Sequence, residues 1–194
     1  AMKSLRYIER IESLFLGILK ALSKTIDAKS KWTYGHSERV AKYSEAIARA
    51  MNLNDEFIHN ITISASLHDI GKIGVSENIL DKRGTLTSEE FGAIKNHPVE
   101  GAEILEVIPG YEKFISGIIY HHEHYDGNGY PFGLKEEEIP LMGRIIAVAD
   151  VFDSLVSDRP YRKGMSVEEA KEILKQERGK KLDPAIVDII LQIV

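Results

Sequence analysis

Seven histidines and aspartates of this chain fall where they could hold a cation. His36 lies four residues before Val40 and seven before Tyr43, so it extends the inward stripe of a helix. His68 continues the stripe Phe57, Ile61, Ala65 in the same way. Either one alone reads as a hydrogen-bonded core histidine. Asp69 beside His68 changes that reading, because the pair can offer an imidazole nitrogen and a carboxylate oxygen to one cation. His121-His122 end an apolar run marked by Phe114, Ile115, Ile118 and Ile119. Two neighbouring imidazoles repel if both are protonated, and shared metal coordination removes the conflict. His97, just before Pro98, can reach the same place. Asp150 interrupts the apolar run Ile145 to Phe152, where an unpaired buried carboxylate costs on the order of several kcal/mol. Its partner is either a cation or a buried arginine. His59, among polar neighbours, and His124, in a loop, are expected to face solvent.

These residues need helices to bring them together, and helical periodicity dominates the chain. Ile8, Ile11, Phe15, Ile18 and Leu22 mark one face of a long first helix. A second follows His36 through Val40, Tyr43, Ile47, Ala50 and Met51. Asn54 or Asp55 can cap a third that runs to His68 and ends near Gly71. Thr87-Ser88-Glu89-Glu90 supplies a cap and first-turn acids, and Pro98 suits the first turn of a helix through Ile104 to Val107. Residues 111–123 read as a further apolar helix. Gly127, Gly129, Pro131 and Gly133 make 124–139 a loop. Helices at 141–157, 166–178 and 184–193 complete an all-α reading, with no period-two alternation and no repeat.

Composition narrows the function. At 194 residues, 43% of them hydrophobic, the chain fits one domain with a real core. The absence of cysteine excludes disulfide scaffolds, zinc fingers, thiolate nucleophiles and cysteine-held iron–sulfur clusters, and fits a cytoplasmic setting. A net charge of -5 speaks against a DNA or RNA polymer as partner, so an anionic ligand needs local cations. The longest apolar runs, such as Leu14 to Leu19, are far short of a membrane span. Ala1-Met2 reads as a cloning scar, so a longer natural chain on the N-terminal side is expected. Residues 1–27 are expected as an N-terminal helix and 28–194 as the domain that carries the candidate ligands. For that first helix, packing on its own domain, a homodimer contact and a signalling linker are open alternatives.

Three segments carry a family resemblance over about residues 25–190. They are His68-Asp69-Ile70-Gly71-Lys72, His121-His122-Glu123-His124-Tyr125-Asp126-Gly127-Asn128-Gly129-Tyr130-Pro131, and Asp150-Val151-Phe152-Asp153-Ser154-Leu155 followed by Arg159-Pro160-Tyr161-Arg162. The chain resembles the HD superfamily of metal-dependent phosphohydrolases, and within it the HD-GYP branch. The resemblance implies a helical HD-domain bundle with extra C-terminal helices. It implies a cytoplasmic bacterial phosphodiesterase for cyclic di-GMP, often fused behind a sensor or receiver domain; a first helix that continues a signalling helix is compatible with a membrane-attached full-length protein. It also implies that His36, His68, Asp69, His97, His121, His122 and Asp150 hold two divalent metals, with Asp69 bridging. His36, His68 and Asp150 would serve one ion and the other three histidines the second. Iron is expected first, then manganese, with zinc also compatible.

The chemistry suits such a set. Two cations about 3.5–4 Å apart can hold a bridging hydroxide, clamp a phosphodiester and neutralise its transition-state charge. Lys72 alone is an ordinary surface lysine; beside a metal pair it becomes a phosphate or hydroxide contact. Arg159 and Arg162 can fork onto phosphate oxygens and supply the positive charge that the chain otherwise lacks. Tyr130 would face a guanine base or close the pocket, and Asp126 would shape the loop. Some family members add a third metal through a Glu four residues before the first His. Here that residue is Trp32, so two metals are expected, and with them linear pGpG as the main product. A catalytically silent HD-GYP binding module and an HD-type hydrolase for another nucleotide are the alternatives.

Overall fold

The computed structural model describes residues 2–30, 33–82, 84–158 and 163–194. In chain order these form α1 (Met2–Asp27), α2 (His36–Ala50), α3 (Asp55–Leu67), a 3-10 turn (Ile70–Gly74), α4 (Glu77–Leu80), α5 (Ser88–Lys95), α6 (His97–Leu105) and α7 (Glu112–Tyr120). A second 3-10 turn (Glu136–Glu138) precedes α8 (Leu141–Val156), α9 (Val167–Glu177) and α10 (Pro184–Ile193). Among the described residues there is no strand, only an isolated bridge between Arg178 and Leu182. The fold is all-α, as the periodicity predicts.

Helix starts sit where the sequence puts cap residues. Asn54 Oδ1 accepts from Phe57 N at 2.8 Å, and Thr87 and Ser166 each form a capping box with the Glu three residues on. Asp183 accepts from Ala185 N at 2.8 Å ahead of Pro184. The ends are less regular. The helix expected over 111–123 stops at Tyr120, where Glu123 N bonds Tyr120 O at 3.0 Å and closes the last turn. Beyond α3 the chain tightens into the Ile70–Gly74 turn and then α4, neither of which the periodicity predicts.

Two apolar clusters hold the bundle. One joins α2, α3, α8, α9 and α10 through residues such as Ile47, Ile61, Ile146, Phe152, Leu174 and Ile186. The other joins α1, α3, α6 and α7 through Leu19, Ile26, Leu67, Leu105, Phe114 and Ile118. α3 belongs to both, and Ser64 Oγ ties it to α7 by donating to Phe114 O at 2.6 Å. Gly71 lets the 3-10 turn lie on α6. A Cβ there would fall on the His97 carbonyl and 2.6 Å from Gly101 N.

α1 departs from its expected stripe. Leu19 and Ile26 are buried and Phe15 and Leu16 half-buried, whereas Ile11 and Ile18 are 64% and 60% exposed. Among the described side chains, the face of the helix toward α3 and the 3-10 turn is covered and the adjoining apolar face is open, while the Ile8 side chain lies outside the described residues.

Candidate metal centre

Four helix ends and one helix middle converge on a single point. His36 opens α2, and Asp27, at the end of α1, accepts from Ser37 Oγ at 2.6 Å and so fixes that start. His68 and Asp69 follow α3, His97 opens α6, His121 and His122 follow α7, and Asp150 projects from α8. Asp69 occupies the middle. Its Oδ1 lies 3.3 Å from His97 Nε2, while its Oδ2 lies 3.5 Å from His68 Nε2 and 3.9 Å from His36 Nε2. His36 Nε2 is also 3.3 Å from Asp150 Oδ1, and His97 Nε2 is 3.3 Å from His121 Nε2. The ligand atoms thus form two groups that share one carboxylate: His36, His68 and Asp69, and Asp69, His97, His121 and His122.

The imidazoles are aimed by one repeated device. Nδ1 of His68, His97 and His121 each meets the carbonyl three residues earlier, at 2.7, 2.6 and 2.8 Å. A carbonyl only accepts, so Nδ1 carries the proton and Nε2 turns a lone pair to the centre. Such a partner on the far nitrogen is what orients a metal-ligating histidine. His36 uses a carboxylate instead, with Nδ1 2.7 Å from Asp153 Oδ2. Arg39 donates to the same Asp153 from Nε at 2.6 Å and from Nη2 at 3.1 Å.

Electrostatics point the same way. Burial holds His68 below the usual imidazole range, and burial plus neighbouring imidazoles hold His121 and His122 well below it, so all three are neutral. For Asp69, burial pushes upward, but Lys72, His68 and His97 outweigh it and keep the carboxylate ionised. Asp150 behaves alike through His36. Burial would lower His36, yet Asp150 and Asp153 raise it to about 9. The pocket thus draws positive charge onto the Nε2 that faces Asp69 and Asp150. Buried His68 Nε2 and Asp69 Oδ1 have no hydrogen-bond partner. Orphaned nitrogen and oxygen donors, preset and without thiolate, fit divalent cations.

Around the centre, Lys72 Nζ donates to Asp69 Oδ2 at 2.7 Å, so it begins as that carboxylate's partner rather than as a surface lysine. Tyr130 stacks on His122 with ring centroids 4.8 Å apart, and Lys95 Nζ lies 5.3 Å from the Tyr130 ring. Asp126 Oδ1 accepts from Asn128 N at 3.0 Å and shapes the loop as expected. His59 is exposed, but His124 is half-buried rather than solvent-facing. Arg159, Arg162 and Trp32 lie outside the described residues.

Sequence reasoning passes over two acids. Asp153 is wholly buried and sits one turn after Asp150, a spacing that puts both on the face toward α2. Glu123 is buried too, and accepts from Phe132 N at 2.7 Å and Leu134 N at 3.1 Å. A carboxylate beside a glycine-rich loop full of free N–H groups is the signal that could have found it.

An all-helical bundle that gathers His-Asp, His-His and Asp ligands around one shared carboxylate defines a class of metal-dependent phosphohydrolase folds. An HD-domain family model matches residues 20–186, so the chain belongs to the HD-domain family, in the HD-GYP branch. It is 42% identical over 167 residues to the 3'3'-cGAMP-specific phosphodiesterase 3 of Vibrio cholerae, covering 86% of this chain and 36% of that protein. It is 39% identical over 189 residues to a cyclic di-GMP phosphodiesterase of Thermotoga maritima, covering 96% of this chain and 51% of the relative. The chain therefore spans about a third to a half of the length of these curated relatives. Among solved structures, a cyclic GMP-AMP phosphodiesterase of V. cholerae superposes with a TM-score of 0.70 at 19% identity, over 91% of this chain and 47% of that one, a likeness of fold. No helix among the described residues is long and apolar enough to cross a membrane.

Proposed function

We propose that this chain is a phosphodiesterase that hydrolyses cyclic di-GMP, mainly to linear pGpG, at a dinuclear metal centre. The supporting observation is Asp69, whose two oxygens face two different histidine groups. His36, His68 and Asp150 with one Asp69 oxygen would hold one ion, and His97, His121 and His122 with the other oxygen the second. The nitrogen and oxygen donors suit iron first, then manganese or zinc. Bound there, divalent cations supply Lewis-acid charge for phosphoryl oxygens and lower the pKa of an attacking water.

The protein groups do the rest. His36 is held by Asp153, and His68, His97 and His121 by backbone carbonyls, so these ligands need no reorganisation when substrate arrives. Lys72, which donates to Asp69, would offer its remaining N–H donors and positive charge to a non-bridging phosphate oxygen. Tyr130 presents a ring where a guanine base can stack, and Arg159 and Arg162 are assigned to the phosphates. A domain or sensor upstream and a homodimer through α1 belong to the same reading. The names of the relatives, which include both cyclic di-GMP and 3'3'-cGAMP phosphodiesterases, support a cyclic dinucleotide.

The test is a time course with anaerobically metal-loaded protein, followed by chromatography against both cyclic dinucleotides. Accumulating pGpG with two metals per chain is expected. Rapid GMP release, or preference for 3'3'-cGAMP, would overturn the product or substrate assignment. A metal-replete protein that cleaves neither would be the silent binding module. Arg159→Ala should keep its metal and lose about 1.5–3 kcal/mol of substrate binding.

A further inference from the structure

Lys29 sits just past the last turn of α1, where its N bonds Ile26 O at 2.9 Å. Its ammonium reaches across to the 3-10 turn after Asp69 and donates to three carbonyls. These are Lys72 O at 3.1 Å, Ile73 O at 2.7 Å and Val75 O at 2.7 Å. An ammonium has three donors, and all three are used here. Carbonyls at a helix C-terminus carry partial negative charge, so a cation there holds the turn closed. The turn so held carries Lys72, whose Nζ lies on Asp69 Oδ2 at 2.7 Å. Its other face is pressed on α6 at Gly71, beside His97.

We infer that Lys29 is a positioning residue that fixes Lys72 over Asp69 and ties the end of α1 to the catalytic turn. The inference rests on the phosphodiesterase reading for its effect on rate, but its structural core does not. A displacement of α1 then becomes a displacement of Lys72, with no change in the metal ligands themselves.

The experiment compares Lys29→Met, Lys29→Arg and the Lys29→Met/Lys72→Met pair with the parent chain. In Lys29→Met, manganese stoichiometry by titration should be unchanged. Amide hydrogen exchange at Ile73, Gly74 and Val75 should speed up, while α9 and α10 stay protected. Misplacement by about 1 Å can cost on the order of a hundredfold in rate, so kcat should fall about ten- to a hundredfold with KM nearly constant. Lys29→Arg should restore most of it. With Lys72 already replaced, the Lys29 change should leave kcat unaltered, which loss of mere stability would not do. Unchanged exchange at Val75 in Lys29→Met, or a full further loss of kcat in the Lys72→Met background, would overturn the inference. Should the parent cleave no cyclic dinucleotide, the phosphodiesterase reading fails, and exchange at Ile73–Val75 alone decides the Lys29 clamp.

Discussion

Replacing Asp69 by alanine should abolish turnover and empty or scramble the cation site, because both histidine groups lose their shared oxygen donor at once. Partners that merely orient a ligand are worth about 10–100-fold in metal affinity, so a bridging carboxylate is worth more. At about 1.4 kcal/mol per decade, losing several kcal/mol of charge stabilisation removes roughly a thousandfold or more in rate. Asp69→Asn keeps the shape but offers one neutral oxygen, and should fall between parent and alanine in metal content. Metal analysis of the purified variants, with circular dichroism to confirm the helices, reads the outcome. An Asp69→Ala protein with the parent's metal and turnover would remove Asp69 from the centre.

Gly71→Ala should be the most destabilising single methyl. The added Cβ meets the His97 carbonyl and lies 2.6 Å from Gly101 N, all of it backbone that no rotamer change can move. Overpacking of this kind costs about 1–3 kcal/mol, and a backbone clash belongs at the upper end. That corresponds to a fall in Tm of about 6–12 °C for a chain of this size. The clash also drives the 3-10 turn off α6, so His97 parts from Asp69 Oδ1, now 3.3 Å away, and activity should fall further than stability. Gly92→Ala is the control. It lies within α5, where an added methyl would meet nothing within 4 Å, and alanine there should be neutral or stabilising by roughly 0.4–1 kcal/mol. Thermal melts and turnover of the two variants give the comparison. Equal Tm for both would refute the close approach.

Which residues would converge was legible because apolar stripes carried the histidines inward and because caps at Asn54, Thr87, Ser166 and Asp183 announce themselves within a few residues. How they converge was not. The Nδ1 bonds of His68, His97 and His121 to carbonyls three residues back depend on where each chain turn tightens, and the periodicity is silent on that. Asp153 finds His36 across 117 residues of chain, a pairing that no local spacing encodes. Lys72 on Asp69 is local, yet it needs a 3-10 turn where the sequence suggests a simple helix end. On α1 the helix was legible but the expected stripe was not the covered one, because which apolar face is buried depends on α3 and the 3-10 turn.

The candidate ligands run from His36 to Asp150, more than half the chain, and no short stretch of it contains a complete set. An unfolded chain can offer at most a His-Asp or a His-His pair, so cations held by the full set would bind the native state almost exclusively. Occupancy is then a term in the folding equilibrium itself. Free metal at a hundred times its dissociation constant adds about 2.7 kcal/mol per site to native stability. A chelator should therefore act on the metal-loaded protein as a mild denaturant, with the melting temperature as a gauge of how well the centre is filled.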